Sequence, residues 1–436
     1  VAQRALVARR AGVRYVPRMN QPQASKGVRA RGMLVSAAAL GAALCVAGVG
    51  GWGAGSCGIA SALAGPLEPP PGPVSATGKT LAEIEPRTVI NLANTPGDAN
   101  SLFRISAPGS YVLAGNVTGV SGKSGIEIAA SNVTIDLMGF DLRGVTGSLG
   151  GIVSSGSITS IEIRNGTVGS WGNGGVNIGG NGVFVCRNIR AIGNTGFGIS
   201  FDTGHIEGCI AANNTGIGIR LNQGGTITRC LASANGGVGI SGGIISVITE
   251  CSSHSNTGVG ISATGSSIVS RCTSQQNGGA GFLIDFASIL TDSASRFNTG
   301  AGIEARNGST VRGCTADRNS QEGILAASRS MIIGNSLSVN GQDTTTQSAG
   351  VRVTGSDNRI EGNNIALNDI GIRVEAAGNI ILGNTCSGNT VNNYDIAADN
   401  VYGPIVDRRT PGSPVVVGHS AASTMGSTDP HANFSY

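Results

Sequence analysis

Asp285, Glu304 and Arg306 carry the strongest suggestion of reactivity in this 436-residue chain. Two carboxyl groups held about 5–10 Å apart supply the acid and the base, or nucleophile, of glycoside cleavage. A guanidinium beside them can hold a substrate carboxylate in a forked pair of charge-assisted hydrogen bonds. Glu304 precedes Arg306 by two positions, but Asp285 is remote from both in sequence. The three meet only if the chain comes back to the same place between positions 285 and 306. They are the catalytic candidates, with the reservation that Arg306 can bind both acids and silence them. Asp202, His205 and Arg220 are the substrate-binding candidates, and His205 would serve as a general base if Asp202 oriented its imidazole.

The chain does come back at that interval. Asn214, Asn235, Asn256, Asn277, Asn298, Asn319 and Asn340 recur at the same constant step, each followed by a glycine-rich turn and a short apolar segment such as Thr215-Gly-Ile-Gly-Ile219. Ile206, Ile227, Ile248, Val269, Leu290, Val311 and Ile332 keep that step, which resumes at Ile360 and Ile381 after one seven-residue insertion, most simply placed at 341–347. A fixed period of about 21 residues marks a solenoid. Helical repeats are excluded, because the coils are built from Gly, Ser, Thr, Asn, Val and Ile and are broken by turn signals every few residues. The 71 glycines show no collagen-like spacing.

Three short strands per coil of about 21 residues predict an all-β, right-handed, single-stranded parallel β-helix of about 12 coils, stacked about 4.8 Å apart. Ile206 to Ile332 would form one inward aliphatic column, Ile219, Ile240, Ile261, Phe282, Ile303 and Ile324 another, and Ala211 to Ala316 a column of small residues. A charged fraction of 12% and an aromatic fraction of 4% suit a thin, evenly filled core.

Nine cysteines would ordinarily suggest bridges. Cys209, Cys230, Cys251, Cys272 and Cys314, however, share one coil position with Ser293, Asn335, Asn363 and Asn384. In-register side chains keep their Cβ atoms near the rung spacing, beyond the disulfide mean of about 3.8 Å. The expectation is a ladder of free, buried thiols, with no metal site and no cofactor. On the surface, Arg229, Glu250, Arg271 and Asp292 alternate in sign down one column and would neutralise one another. Arg296 and Asp317 repeat that pattern.

Residues 1–64 read as an N-terminal extension and secretory signal: Arg29 and Arg31 precede an apolar run from Met33 to Val49, then small-residue cleavage sites. Residues 65–79 form a proline-rich linker. Residues 80–405 hold the β-helix, with irregular capping coils over 80–185 and regular repeats over 186–400, and 406–436 form a polar tail. Eight of the basic residues behind the net charge of +4 fall in the first 31 positions. The remainder is slightly acidic and offers no basic stripe for nucleic acid. The signal points to a secreted, cell-surface or periplasmic protein, and no membrane span is expected in the mature chain.

The repeat resembles the bacterial right-handed parallel β-helix families of pectin-lyase-like architecture. It is similar to the NosD-type and carbohydrate-binding repeats in Asn363-Asn-Ile-Ala-Leu-Asn368-Asp-Ile-Gly-Ile372. Pro108-Gly-Ser-Tyr-Val-Leu-Ala-Gly-Asn116 resembles the first coils of exported members, and the segment from Asn393 to Pro404 a recurrent end. The resemblance implies the fold over about residues 80–405 and, because one architecture hosts many activities, no single reaction. Polygalacturonase-like members carry Asn-Thr-Asp, paired Asp, Gly-His-Gly and Arg-Ile-Lys motifs; this chain offers only Thr203-Gly-His-Ile206. The Met- and His-rich surface suited to copper is missing. The expectation is therefore an exported, non-catalytic β-helix that binds extended polysaccharide or cell-envelope glycan, or serves as a surface module. The alternative is a polysaccharide lyase or glycoside hydrolase with a degenerate site at Asp285, Glu304 and Arg306.

Overall fold

The structure, a computed structural model, describes residues 85–341, 347–407 and 428–435. The extension, signal and linker assigned to 1–79 lie outside them, and so do Cys45 and Cys57. The β-helix occupies the unit spanning Ser75–Tyr436.

Every coil lays down three short strands, illustrated by Ile219–Leu221, Gly225–Thr228 and Leu231–Ser233. We call the faces they build face 1, face 2 and face 3. Face 1 is a sheet of 14 parallel strands, one per coil. Faces 2 and 3 merge into one 28-stranded sheet, because Ile161–Gly169 and Phe184–Ile192 run through the corner between them. With the partial coil at Thr88–Val89 the stack counts about 15 turns rather than 12. The shortfall comes from the early coils, whose lengths drift: Ile126 pairs with Ile152, Ile152 with Val176, and Val176 with Ile199.

The columns fall in register. Ile206, Ile227, Ile248, Val269, Leu290, Val311, Ile332, Ile360 and Ile381 are consecutive partners on face 2. Ile219, Ile240, Ile261, Phe282, Ile303 and Ile324 do the same on face 1. All of these side chains are buried. The insertion enters in two places. The regular step would carry Ile324 to position 345 and Ile332 to position 353, but their partners are Val351 and Ile360. Six extra residues thus precede the strand Ala349–Val353 and one joins the turn after it.

The corners explain the coil's chemistry. Arg229, Glu250, Arg271 and Asp292 have φ between 49° and 56°, and Asn213, Ala234, Ser255 and Gln276 have φ between 52° and 57°. A left-handed residue makes the chain turn sharply at each of these corners. The residue that follows points its side chain into the coil. After the second corner that residue is the repeating asparagine. From Asn194 through Asn389 each amide Nδ2 donates to the Oδ1 of the next rung at 2.9–3.2 Å. The backbone N–H of each donates to the same oxygen, so the buried corner amides are satisfied.

After the first corner the inward residue is Cys, Ser or Asn. The N–H of Cys230 donates to the Cys251 Sγ at 3.5 Å, that of Cys251 to Cys272 at 3.4 Å, and that of Cys272 to the Ser293 Oγ at 3.1 Å. Further down, amides take over, from Asn335 through Asn363 and Asn384 to Asn433. That last residue belongs to Asn433–Ser435, assigned in sequence to the polar tail. It forms a strand beside Thr385–Ser387 and ends the ladder.

Trp171 fills the early coils, fully buried, with its Nε1 donating to the Leu142 carbonyl at 3.0 Å. Gly125 and Gly151 make room for it; a Cβ at either would come within 2.9 Å of the indole. Outside, face 2 carries an apolar column that the charge pattern did not suggest: Val247, Ile268, Ile289, Met331, Ile380 and Val401 are exposed.

Candidate functional site

Face 1 brings the first set together. Glu304 stands in register between Leu283 and Leu325, and Arg306 closes the strand Ile303–Ala305. Arg306 sits between both acids, its Nη1 3.9 Å from Asp285 Oδ2 and its Nε 3.5 Å from Glu304 Oε1. Asp285 Oδ1 also accepts the Phe286 N–H at 3.0 Å. Beside them lies a hollow of about 310 Å³ lined by Glu304, Arg306, Phe286, Leu325 and Thr354. Chemically this is a guanidinium clamped by two carboxylates, not a pair of acids facing an open cleft.

The second set divides. Asp202 ends the face 1 strand Ile199–Phe201; its Oδ2 accepts the Gly180 N–H at 2.9 Å and its Oδ1 accepts the Asn222 Nδ2 at 2.6 Å. Asn222 Oδ1 in turn accepts the Arg220 Nε, and the guanidinium carbon lies 5.0 Å from the Phe197 ring centroid. Asp202, Asn222, Arg220 and Phe197 are therefore one connected cluster, in which no carboxylate touches the guanidinium directly.

His205 belongs to a different face. Gly204, at φ 132°, turns the corner where a Cβ would strike the Phe184 carbonyl 2.0 Å away. Beyond it the His205 ring meets the Thr226 hydroxyl through Nδ1 and the Glu207 carboxylate through Nε2, the latter at 3.2 Å. Hydrogen bonding from His205, then from Arg187, holds the Glu207 carboxyl below its ordinary range. The imidazole is oriented by Glu207, so the Asp202–His205 couple expected from sequence does not form. Asn222, Phe197 and Glu207 were missed. Glu207 was within reach, since it lies in register with Arg187; Asn222 and Phe197 sit at corners where sequence does not show which way a side chain turns.

The cysteines at 186, 209, 230, 251, 272, 314 and 386 are free and buried. Hydrogen bonding to the Cys230 sulfur, with burial added, pushes Cys251 up to about 12. Burial pushes Cys314 up to about 11 and Cys386 up to about 12. Burial of this kind disfavours the thiolate that nucleophilic and metal chemistry require. Among the described residues no three His, Cys, Asp or Glu side chains group as metal ligands. The outward charges pair only in part as their columns suggested: Arg271 lies 3.0 Å from Glu250 and Arg296 3.4 Å from Asp317, which Arg318 also reaches at 2.8 Å, but Arg229 turns to Glu207.

Stacked parallel rungs of this kind define a right-handed parallel β-helix, and residues 238–340 match the family described as right handed beta helix region. Over those residues the chain shares the right-handed β-helix repeat of that family. It is similar to the A-module of the Azotobacter vinelandii mannuronan C-5 epimerase AlgE4, at 16% identity and a TM-score of 0.43, covering 68% of this chain and 90% of that one. It is similar also to the periplasmic alginate epimerase AlgG, at 12% identity and a TM-score of 0.38, over 66% of this chain and 81% of that one. The Dettilon tailspike protein aligns at 15% identity and a TM-score of 0.33, over 66% of this chain and 58% of that one. No curated protein matches the sequence. Among the described residues no helix is long and apolar enough to cross a membrane.

Proposed function

We propose that this is an exported, non-catalytic β-helix that binds extended polysaccharide along face 1, with Arg220 and Phe197 as the contact point and Asp202 as its support. The observation that carries this reading is the cluster itself. Arg220 is stacked on an aromatic ring and fixed by Asn222, with no acid to neutralise it, on a face whose neighbouring outward positions are the small polar residues Asn177, Ser200, Ser241 and Ser262. A linear polymer meets the same backbone platform at every rung, about 4.8 Å apart. Arg306, shared between Asp285 and Glu304, favours binding over turnover at the lower end of the face.

A glycan array, repeated with Arg220→Gln and Phe197→Ala, tests the reading. Loss of the bound glycans in both variants supports it, and unchanged binding removes the cluster from consideration. The hollow beside Glu304 keeps a second reading in view, a polysaccharide lyase or glycoside hydrolase at Asp285, Glu304 and Arg306. Screening for turnover of acidic and neutral polysaccharides decides it: activity lost on Asp285→Ala together with Glu304→Ala would establish that site.

A further inference from the structure

We infer that the early coils of face 3 carry a second saccharide subsite, a notch that takes an acidic sugar by its carboxylate or sulfate. The inference rests on the polysaccharide reading above and adds to it the charge class of the sugar. Gly169 makes the notch. It stands in register between Arg143 and Ile192, and a Cβ there would meet the Ile192 carbonyl at 2.8 Å. The outward row therefore skips a side chain and leaves a hollow of about 170 Å³, bounded by Asp141, Arg143, Thr167, Ser170 and Ile192. Arg143 and Ser170 also border an adjoining hollow of about 580 Å³, where the turn 144–147 and Thr195 form the far wall.

The charges favour an acid. Across the described residues most arginines lie within 4 Å of a carboxylate. At this notch they do not. Arg143 is exposed, and its side chain has no hydrogen-bond or ion-pair partner among the described residues. Arg190, two rungs down, spends its Nε and Nη2 on the Thr167 hydroxyl at 3.1 and 2.8 Å and meets no acid. The Arg143 guanidinium thus borders a floor of backbone and hydroxyls, and Arg190 stands just beyond it, bonded to the lining Thr167. Asp141 is the one carboxylate at the rim, in register with Thr167 on the Arg190 column rather than beside Arg143. An acidic sugar satisfies both ends: its oxyanion takes the Arg143 fork, and its ring hydroxyls donate to Asp141. A neutral sugar leaves Arg143 without a partner, and a bare anion leaves Asp141 without one.

The test is calorimetric titration of the folded chain with three tetrasaccharides: a tetragalacturonate, a sulfated dextran tetramer and neutral cellotetraose. The acidic tetramers should bind at least tenfold tighter than the neutral one. Arg143→Gln should remove that advantage, and Arg190→Gln should reduce it. Arg312→Gln, at an exposed arginine on face 2, should leave it intact. Binding of the tetragalacturonate alone assigns a carboxylate subsite, and binding of the sulfated tetramer alone assigns a sulfate subsite. Equal affinity for all three, no binding of either acidic tetramer, or an Arg143→Gln variant that binds as the parent does overturns the inference. Arg220→Gln reports separately on face 1. Binding lost there but retained in Arg143→Gln would leave the polysaccharide reading standing and remove this one.

Discussion

Replacing Asn277 with alanine should break the β-helix locally and at a calculable cost. The Asn277 Oδ1 accepts the Asn256 backbone N–H at 3.1 Å and the Asn256 Nδ2 at 3.0 Å. Its own Nδ2 donates to the Ser253 carbonyl, the Ser274 hydroxyl and the Asn298 Oδ1 at 3.0–3.3 Å. Alanine leaves the Asn256 amide buried without an acceptor, which costs about 1–3 kcal/mol, and each lost side-chain bond adds about 0.5–1.5 kcal/mol. With four side-chain bonds lost, the expected cost is at least about 3 kcal/mol, against about 1 kcal/mol for an ordinary substitution. Because each rung meets only its neighbours, amide exchange should quicken over the coils of Asn256, Asn277 and Asn298 while distant coils keep their protection. Urea unfolding followed by circular dichroism gives the magnitude, and hydrogen exchange gives the place. A loss below about 1 kcal/mol, or exchange quickened evenly along the stack, would refute the reasoning. Asn277→Asp sharpens the test. Burial should raise the pKa of this carboxyl above its unfolded value of about 3.9, so the variant should be most stable below that pH and lose stability as pH rises.

The buried thiols should resist alkylation by a thiol reagent at pH 8 and react stoichiometrically once urea is added. The raised pKa values of Cys251, Cys314 and Cys386 also make stability fall with pH. The unfolded thiols ionise from about pH 8.5 while the folded ones stay protonated, so each contributes a loss of up to about 1.4 kcal/mol per pH unit above that point, until its own folded value is reached. A denaturation midpoint that is flat between pH 8 and 10 would contradict this. Gly281→Ala should be severely destabilising, since the new methyl would lie 2.1 Å from the Ser295 Oγ and 2.6 Å from the Gly302 carbonyl, and thermal unfolding should register a loss of several degrees. Gly334→Ala meets no atom within 4 Å but sits at φ 64°. It should cost only about 1–2 kcal/mol of backbone strain, so the two midpoints should differ clearly. Ile268→Thr, on the exposed face 2 column, should change stability by no more than about 0.5 kcal/mol in the same assay.

Most of the stack could be read from residues alone because an inward isoleucine has one role at every rung. Ile227, Ile248 and Val269 needed only a constant period to be placed over one another. The asparagine column was equally visible, although its ladder of amide bonds was not, because a glycine-rich turn looks the same whether its asparagine points in or out. The coil count fell short where Ile126, Ile152 and Val176 are unevenly spaced. The strand at Asn433–Ser435 escaped notice because it lies more than a full period beyond the preceding strand Ile405–Asp407, and its only signal is one asparagine in the right column. Side chains at the corners were the least legible. Asp202 and His205 are close neighbours in sequence, yet Gly204 sends them to different faces, and only the backbone angle at that glycine reveals it.

The split insertion bears on how such a chain can change length. Six residues are added before Ala349 and one after Val353, and Asn340 still bonds to Asn368 as Asn319 does to Asn340. One full period removed or duplicated between two equivalent corners would likewise leave each surviving layer with the neighbours it already has. Reach along the axis can therefore be lengthened or trimmed in whole increments without redesigning the interior, much as a ladder is shortened by taking out one step.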